Sequence, residues 1–119
     1  MSEVKFNIVE SPIQSLDEFI TLLDQVGEWL WHKGVKQWSP GVHRENRAEH
    51  ARRVEQGCLI LTYHQDKLAG GCILSELIPE AWPAAPDTLA LYSLVAARFA
   101  AGKGLGAQII QYCTQAAAR

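Results

Sequence analysis

At 119 residues, with 48% hydrophobic and 20% charged residues and a formal net charge of −2, this chain has the make-up of one globular domain that buries a core without cross-links. No basic run exceeds the pair Arg52-Arg53, so the broad positive surface of a nucleic-acid binder is not expected. The start, Met1-Ser-Glu-Val-Lys-Phe, lacks the features of a signal peptide, and no stretch nears the ~18 uninterrupted apolar residues of a spanning helix; a cytoplasmic location without a membrane partner is the expectation.

Residues 5–10 alternate polar and apolar and predict a short strand, broken by Ser11-Pro12. Ser15 stands three before Glu18, the spacing of a capping box. Leu16, Phe19, Ile20, Leu23, Val26 and Leu30 then recur at helical spacing down to about His32, and Gly34 is placed to end that helix in a left-handed turn. Residues 34–42 form a loop holding Trp38, Pro40 and Gly41. A second, polar helix is expected from about residue 43 to 56, with a thin apolar face (Ala48, Ala51, Val54) and Gly57 as its stop.

Two strands follow, residues 58–64 and 67–78, joined by the turn-like Gln65-Asp66 and expected to pair as an antiparallel hairpin. Gly70-Gly71 inside the second strand suggests a bulge or a close backbone approach. Pro79, Pro83 and Pro86 break the pattern through a loop containing Trp82. Residues 89–97 read as the last strand and 105–119 as a helix with Leu105, Ile109, Ile110 and Cys113 on one side. This order predicts an α+β (α/β) domain with a largely antiparallel sheet. Cys58, Cys72 and Cys113 are widely spaced among apolar neighbours, with neither CxxC spacing nor a histidine pattern; buried reduced thiols are expected, and no metal.

Between the last strand and the last helix stands Ala101-Gly102-Lys103-Gly104-Leu105-Gly106. A helix start offers unpaired amides and the positive end of the helix dipole, which together suit an anion. Glycine lets the backbone approach a phosphate closely, and Lys103 adds a mobile positive charge. A Walker A loop needs Ser or Thr after its Lys, where Gly104 stands, and the spacing here is GxGxG rather than the GxGxxG of a dinucleotide site. A ligand-free glycine-rich helix entry is the plainer reading; three alternate glycines that add no packing argue against it.

With Leu94-Val95-Ala96 six residues upstream, Gly-Lys-Gly-Leu-Gly resembles motif A of the GNAT superfamily of N-acetyltransferases, Gln/Arg-x-x-Gly-x-Gly/Ala. The likeness extends to the element order and to the Trp-rich stretch from Trp29 to Trp38; Ala101 stands where the family has Arg or Gln. The resemblance implies acetyl-CoA as co-substrate, no metal, and direct attack of a primary amine, small or peptide, on the thioester. It implies that Ala101, Gly102, Lys103, Gly104, Leu105 and Gly106 line the diphosphate site, and that Leu94, Val95 and Ala96 run beside the pantetheine arm. The amide of Val95 is then the oxyanion donor. The family fold continues past this helix, so a single GNAT-like domain over residues 1–119, truncated after the motif A helix, is expected. Its last strand is then an open edge and homo-oligomer formation follows. The alternative is a non-catalytic acyl-CoA-binding or self-associating module, or an inactive fragment of a longer acetyltransferase.

Trp38 and Trp29 are candidates for the acceptor pocket, Trp29 being equally suited to the core. Glu76 and Tyr92 are candidates for base and acid, against the plainer readings of a solvated strand-end carboxylate and a packed sheet tyrosine. No role is assigned to His32, His43, His50 or His64.

Overall fold

The computed structural model describes residues 5–83 and 88–118; Pro86 and Arg119 lie outside the described residues. Four strands form one antiparallel sheet in sequence order: β1 (Asn7–Ser11), β2 (Gly57–His64), β3 (Lys67–Ser75) and β4 (Ala90–Ala96). Between β1 and β2 come a 3-10 turn (Ile13–Ser15), α1 (Leu16–His32), α2 (Val42–Glu45) and α3 (Arg47–Glu55). After β4 a second 3-10 turn (Arg98–Ala100) leads to α4 (Leu105–Ala117).

The sheet is covered on both faces. On one, α1 buries Leu16, Phe19, Ile20 and Leu23 against Leu59, Leu61, Ile73, Val95 and Ala97, with α3 adding Val54. On the other, α4 buries Leu105, Ile109 and Cys113 against Ile60, Ala69, Cys72 and Leu74. Each fully buried aliphatic side chain contributes roughly 1.5–3 kcal/mol, so these two clusters hold the helices to the sheet. The predicted α+β architecture is the observed one.

Gly34 ends α1 as expected. At φ +90° it lets its own N–H donate to Trp31 O (3.1 Å) and the Val35 N–H donate to Leu30 O (2.9 Å), the paired bonds of a Schellman motif. The capping box does not form. Ser15 is the last residue of a 3-10 turn, already in helical conformation and without a side-chain cap. Glu18 instead accepts the Tyr63 hydroxyl. The second helix is two helices, because Asn46 (φ −97°, ψ +21°) bends the chain between α2 and α3. Asp24 of α1 supplies the cap that α2 lacks locally, accepting the His43 and Arg44 N–H groups at 3.0 Å each. Ala48 is exposed, and the buried side of α3 is His50 and Val54.

The third strand ends at Ser75, short of the expected 78, and α4 ends at Ala117. Both glycines of β3 sit where backbone passes close: a Cβ on Gly70 would lie 2.5 Å from Val95 O, and one on Gly71 2.6 Å from Ile60 O. Cys72 and Cys113, 41 residues apart, meet as buried thiols with sulfurs 3.6 Å apart, and Cys58 is half-buried. The hydrogen bond to Cys113 and burial push the Cys72 thiol well above its usual range.

Candidate functional site

Gly102 (φ +77°) and Gly104 (φ +78°) are both left-handed, which makes the turn before α4 dependent on glycine. Residues 101–104 are exposed, and a Cβ at Gly102, Gly104 or Gly106 would meet nothing within 4 Å. The first helical backbone bond across this junction runs from Gln108 N–H to Gly104 O (3.2 Å). Among the described residues no acceptor takes the N–H groups of Gly102, Lys103, Gly104, Leu105 or Gly106. Five peptide donors at the positive end of a 13-residue helix are thus left without an acceptor among the described residues, and the space beside Gly102, Gly104 and Gly106 is open. Lys103 is exposed beside them and Ala101 contributes no side-chain donor.

Leading into this loop, β4 is distorted at Ser93, a non-glycine residue at φ +57°. The register against β3 slips there, Ile73 pairing with Tyr92 but Gly71 with Val95. The extra residue flips the alternation. Tyr92 joins the α1-side cluster and Leu94 the α4-side cluster, although residues two apart in a regular strand share a face. The Val95 carbonyl faces β3, as the Gly70 approach requires, and the Ala97 N–H donates to Ala69 O at 2.7 Å. Alternation back from Ala97 turns the peptide groups of Val95 toward β3, away from the role expected for its amide, and leaves the amide of Ala96 on the open side of β4, while Leu94 lies inside the irregularity. Among the described residues no strand pairs with that side.

Trp38 walls a cavity of about 290 Å³ with Val42, His43, Asn46, Glu49, His50, Arg53 and Ser93. The indole packs over Gly27 of α1, where a Cβ would make an ordinary contact of 3.8 Å with the ring. The indole meets the His43 ring edge-on at 4.6 Å between centroids. His43 Nδ1 and His50 Nε2 are 3.2 Å apart, and both side chains are buried (5% and 3% exposed). Desolvation pushes both imidazoles down, His50 to about 4, so both rings are neutral near pH 7. Sequence reading missed this pair. Its i, i+7 spacing is the helical signal, obscured by the bend at Asn46.

The other candidates are not brought together. Tyr92 donates its hydroxyl to Leu77 O (2.7 Å) beneath the Arg53 guanidinium (4.2 Å), so its proton is already engaged. Glu76 is exposed just past Ser75, which pairs with Ala90; at ~3.4 Å per residue that is roughly 17 Å along β4 from Val95. Trp29 is neither core nor part of the Trp38 cavity. It is half-buried, with Arg98 4.3 Å and Lys33 5.1 Å over its ring. A further cavity of about 310 Å³ lies between α1 and the second 3-10 turn, edged by Lys67 and Arg98, each stacked on an aromatic ring. Among the described residues no cluster of three metal-ligating side chains occurs, and no helix is long and apolar enough to cross a membrane.

A helix-covered antiparallel sheet with a distorted fourth strand thus runs into a glycine loop and helix start suited to an anion. The model of the acetyltransferase (GNAT) family matches residues 23–119, and the chain belongs to that family. Solved structures share the fold at low identity. The IAA acetyltransferase from Bacillus cereus superposes with TM-score 0.63 at 16% identity, over 95% of this chain and 58% of that one. A predicted acetyltransferase with acetyl-CoA from Clostridium acetobutylicum gives 0.68 at 7%, over 95% and 73%. An aminoglycoside acetyltransferase from an uncultured soil metagenomic sample gives 0.63 at 17%, over 96% and 72%. The chain thus spans 58% to 73% of the length of these three structures. No curated protein matches the sequence.

Proposed function

We propose that residues 1–119 form a single acetyl-CoA-binding domain that transfers the acetyl group to a primary amine. The observation that carries this is the set of amides at Gly102, Lys103, Gly104, Leu105 and Gly106 that no acceptor takes among the described residues, set beside an edge of β4 that no described strand pairs. In this reading the diphosphate lies on those amides, Lys103 supplies a second contact, and the pantetheine arm runs along residues 94–96. The amine nitrogen attacks the thioester carbonyl carbon. The tetrahedral oxyanion is met by an outward amide, Ala96 in place of Val95, and the C–S bond then breaks to leave an amide and a thiol. Trp38 and its cavity receive the acceptor.

Calorimetry with CoA, acetyl-CoA and dephospho-CoA tests binding, and acetyl-CoA turnover over a panel of amines tests transfer. Micromolar binding with amine-dependent thiol release is expected; no binding by either CoA form refutes the reading.

The edge of β4 that no described strand pairs favours a second reading, an acyl-CoA-binding or self-associating module. Its unpaired peptide groups suit pairing with a second copy of the chain. Light scattering and amide exchange test this: a dimer with slow exchange at Ala96 is expected, and a monomer with fast exchange there refutes it.

A further inference from the structure

Arg53 of α3 lines two cavities. One is the cavity of about 290 Å³ walled by Trp38, and the other, of about 390 Å³, is bounded by Leu77, Ile78, Pro79 and Tyr92. The side chain keeps 25% of its surface accessible. Two contacts hold it in place. The guanidinium carbon lies 4.2 Å from the centroid of the Tyr92 ring, and that ring is pinned in turn by its hydroxyl, which donates to Leu77 O. Glu49 Oε1 lies 3.6 Å from Arg53 Nε, an ion pair longer than a hydrogen bond.

Glu49 is committed elsewhere. Arg52 donates to both of its oxygens, Nη2 to Oε1 at 2.8 Å and Nε to Oε2 at 3.1 Å, the paired geometry of a strong ion pair. One carboxylate thus faces two guanidiniums, and Arg53 is the one that it does not hydrogen-bond. Among the described residues no acceptor takes an N–H of Arg53. Glu80, the other carboxylate of the second lining, is exposed and pairs with neither arginine. The Nη1 and Nη2 donors of Arg53 therefore remain for a ligand. A guanidinium stays charged at any working pH, and its planar donor pair matches the two oxygens of a carboxylate. One uncompensated cation suits a monoanion; a phosphate dianion would set a second negative charge beside Glu49.

The place of this cation along β4 gives it a use. Tyr92 beneath Arg53 and Ser93 in the Trp38 lining directly precede residues 94–96, the stretch assigned to the pantetheine arm. We propose that the acceptor is an amine that also carries a carboxylate, an amino acid in its simplest form, and that Arg53 selects it by binding both carboxylate oxygens. Anchoring that end beside Ser93 orients the amine toward the thioester, and Trp38 walls the space for the rest of the molecule. This inference rests on the acetyl-transfer reading.

The test compares amino acids with their α-carboxamides, which keep amine and side chain and lose the negative charge. Glycine, leucine, phenylalanine and glutamate, each against its amide, are added to the whole chain with acetyl-CoA, and thiol release is followed. The amides are less protonated near neutral pH and so the better intrinsic nucleophiles; a preference for the acids reports recognition. At least one pair should favour the acid tenfold or more in kcat/KM. Arg53→Gln should abolish that preference and Arg53→Lys retain part of it, with CoA affinity by calorimetry unchanged in both. A second readout needs no turnover: without CoA, the Arg53 Nε–Hε signal in proton–nitrogen NMR spectra should shift saturably with amino acids, and at least tenfold more weakly with amides. Amides used as well as acids, a preference that survives Arg53→Gln, or an Arg53 signal that no amino acid moves overturns the proposal. Phosphoethanolamine binding more tightly than β-alanine overturns it in favour of a phosphate. Failure of CoA to bind refutes acetyl transfer instead, and the spectra without CoA still decide the anion site.

Discussion

Gly104 tests the phosphate loop most directly, because a side chain there meets solvent rather than protein. The residue is left-handed (φ +78°) and a Cβ on it would have no neighbour within 4 Å, so a substitution strains the backbone without a clash. Asparagine tolerates that conformation, and Gly104→Asn carries the strain alone, about 1 kcal/mol. Gly104→Asp has the same shape plus one negative charge. At roughly 6 Å from a diphosphate bearing about two charges in a water-like dielectric, that carboxylate costs ~0.7 kcal/mol per charge pair, ~1.4 kcal/mol in all, or about tenfold in Kd. The same carboxylate at the α4 N-terminus stabilises the free protein by about 0.3–1 kcal/mol through the helix dipole. The two effects have opposite signs. Calorimetry with CoA should therefore give Asp about tenfold weaker than Asn, the gap narrowing with added salt, while thermal melts place Asp at or above Asn. Equal CoA affinity for the two variants refutes the assignment of the diphosphate to this turn.

Gly71→Ala should destabilise the fold by about 1–3 kcal/mol in urea melts without altering the loop, because its Cβ would press on Ile60 O at 2.6 Å and Leu61 Cδ2 at 2.9 Å. His50, pushed from 6.5 to about 4, stays neutral as the unfolded chain takes up protons. The unfolded state thus binds more protons as pH falls below 6.5, and stability should drop by ~2 kcal/mol between pH 7 and 5, with His50→Leu flattening that slope in pH-dependent urea melts. Tyr92→Phe should cost about 1 kcal/mol of stability, from the lost bond to Leu77 O, and leave acetyl turnover within about threefold. Glu76→Gln should leave turnover unchanged, since its carboxylate stands at the far end of β4; a large loss in either variant restores that residue as acid or base.

The sequence alone determined the elements and the loop. Local periodicity marks α1, β2, β3 and α4, and glycine chemistry marks Gly34 and the turn at Gly102 and Gly104, because both signals are written in neighbouring residues. What reached across the chain was decided by tertiary structure. The Asp24 cap on α2, the Glu18–Tyr63 bond and the Cys72–Cys113 contact join residues far apart in sequence, where spacing carries no information. So does the slip at Ser93. One residue in a left-handed conformation moved Tyr92 and Leu94 to opposite faces and turned the Val95 amide toward β3, and no side-chain pattern records a change of backbone register. The His43–His50 pair depends on the bend at Asn46 and on burial beneath Trp38, and burial is a property of the assembled core rather than of either residue.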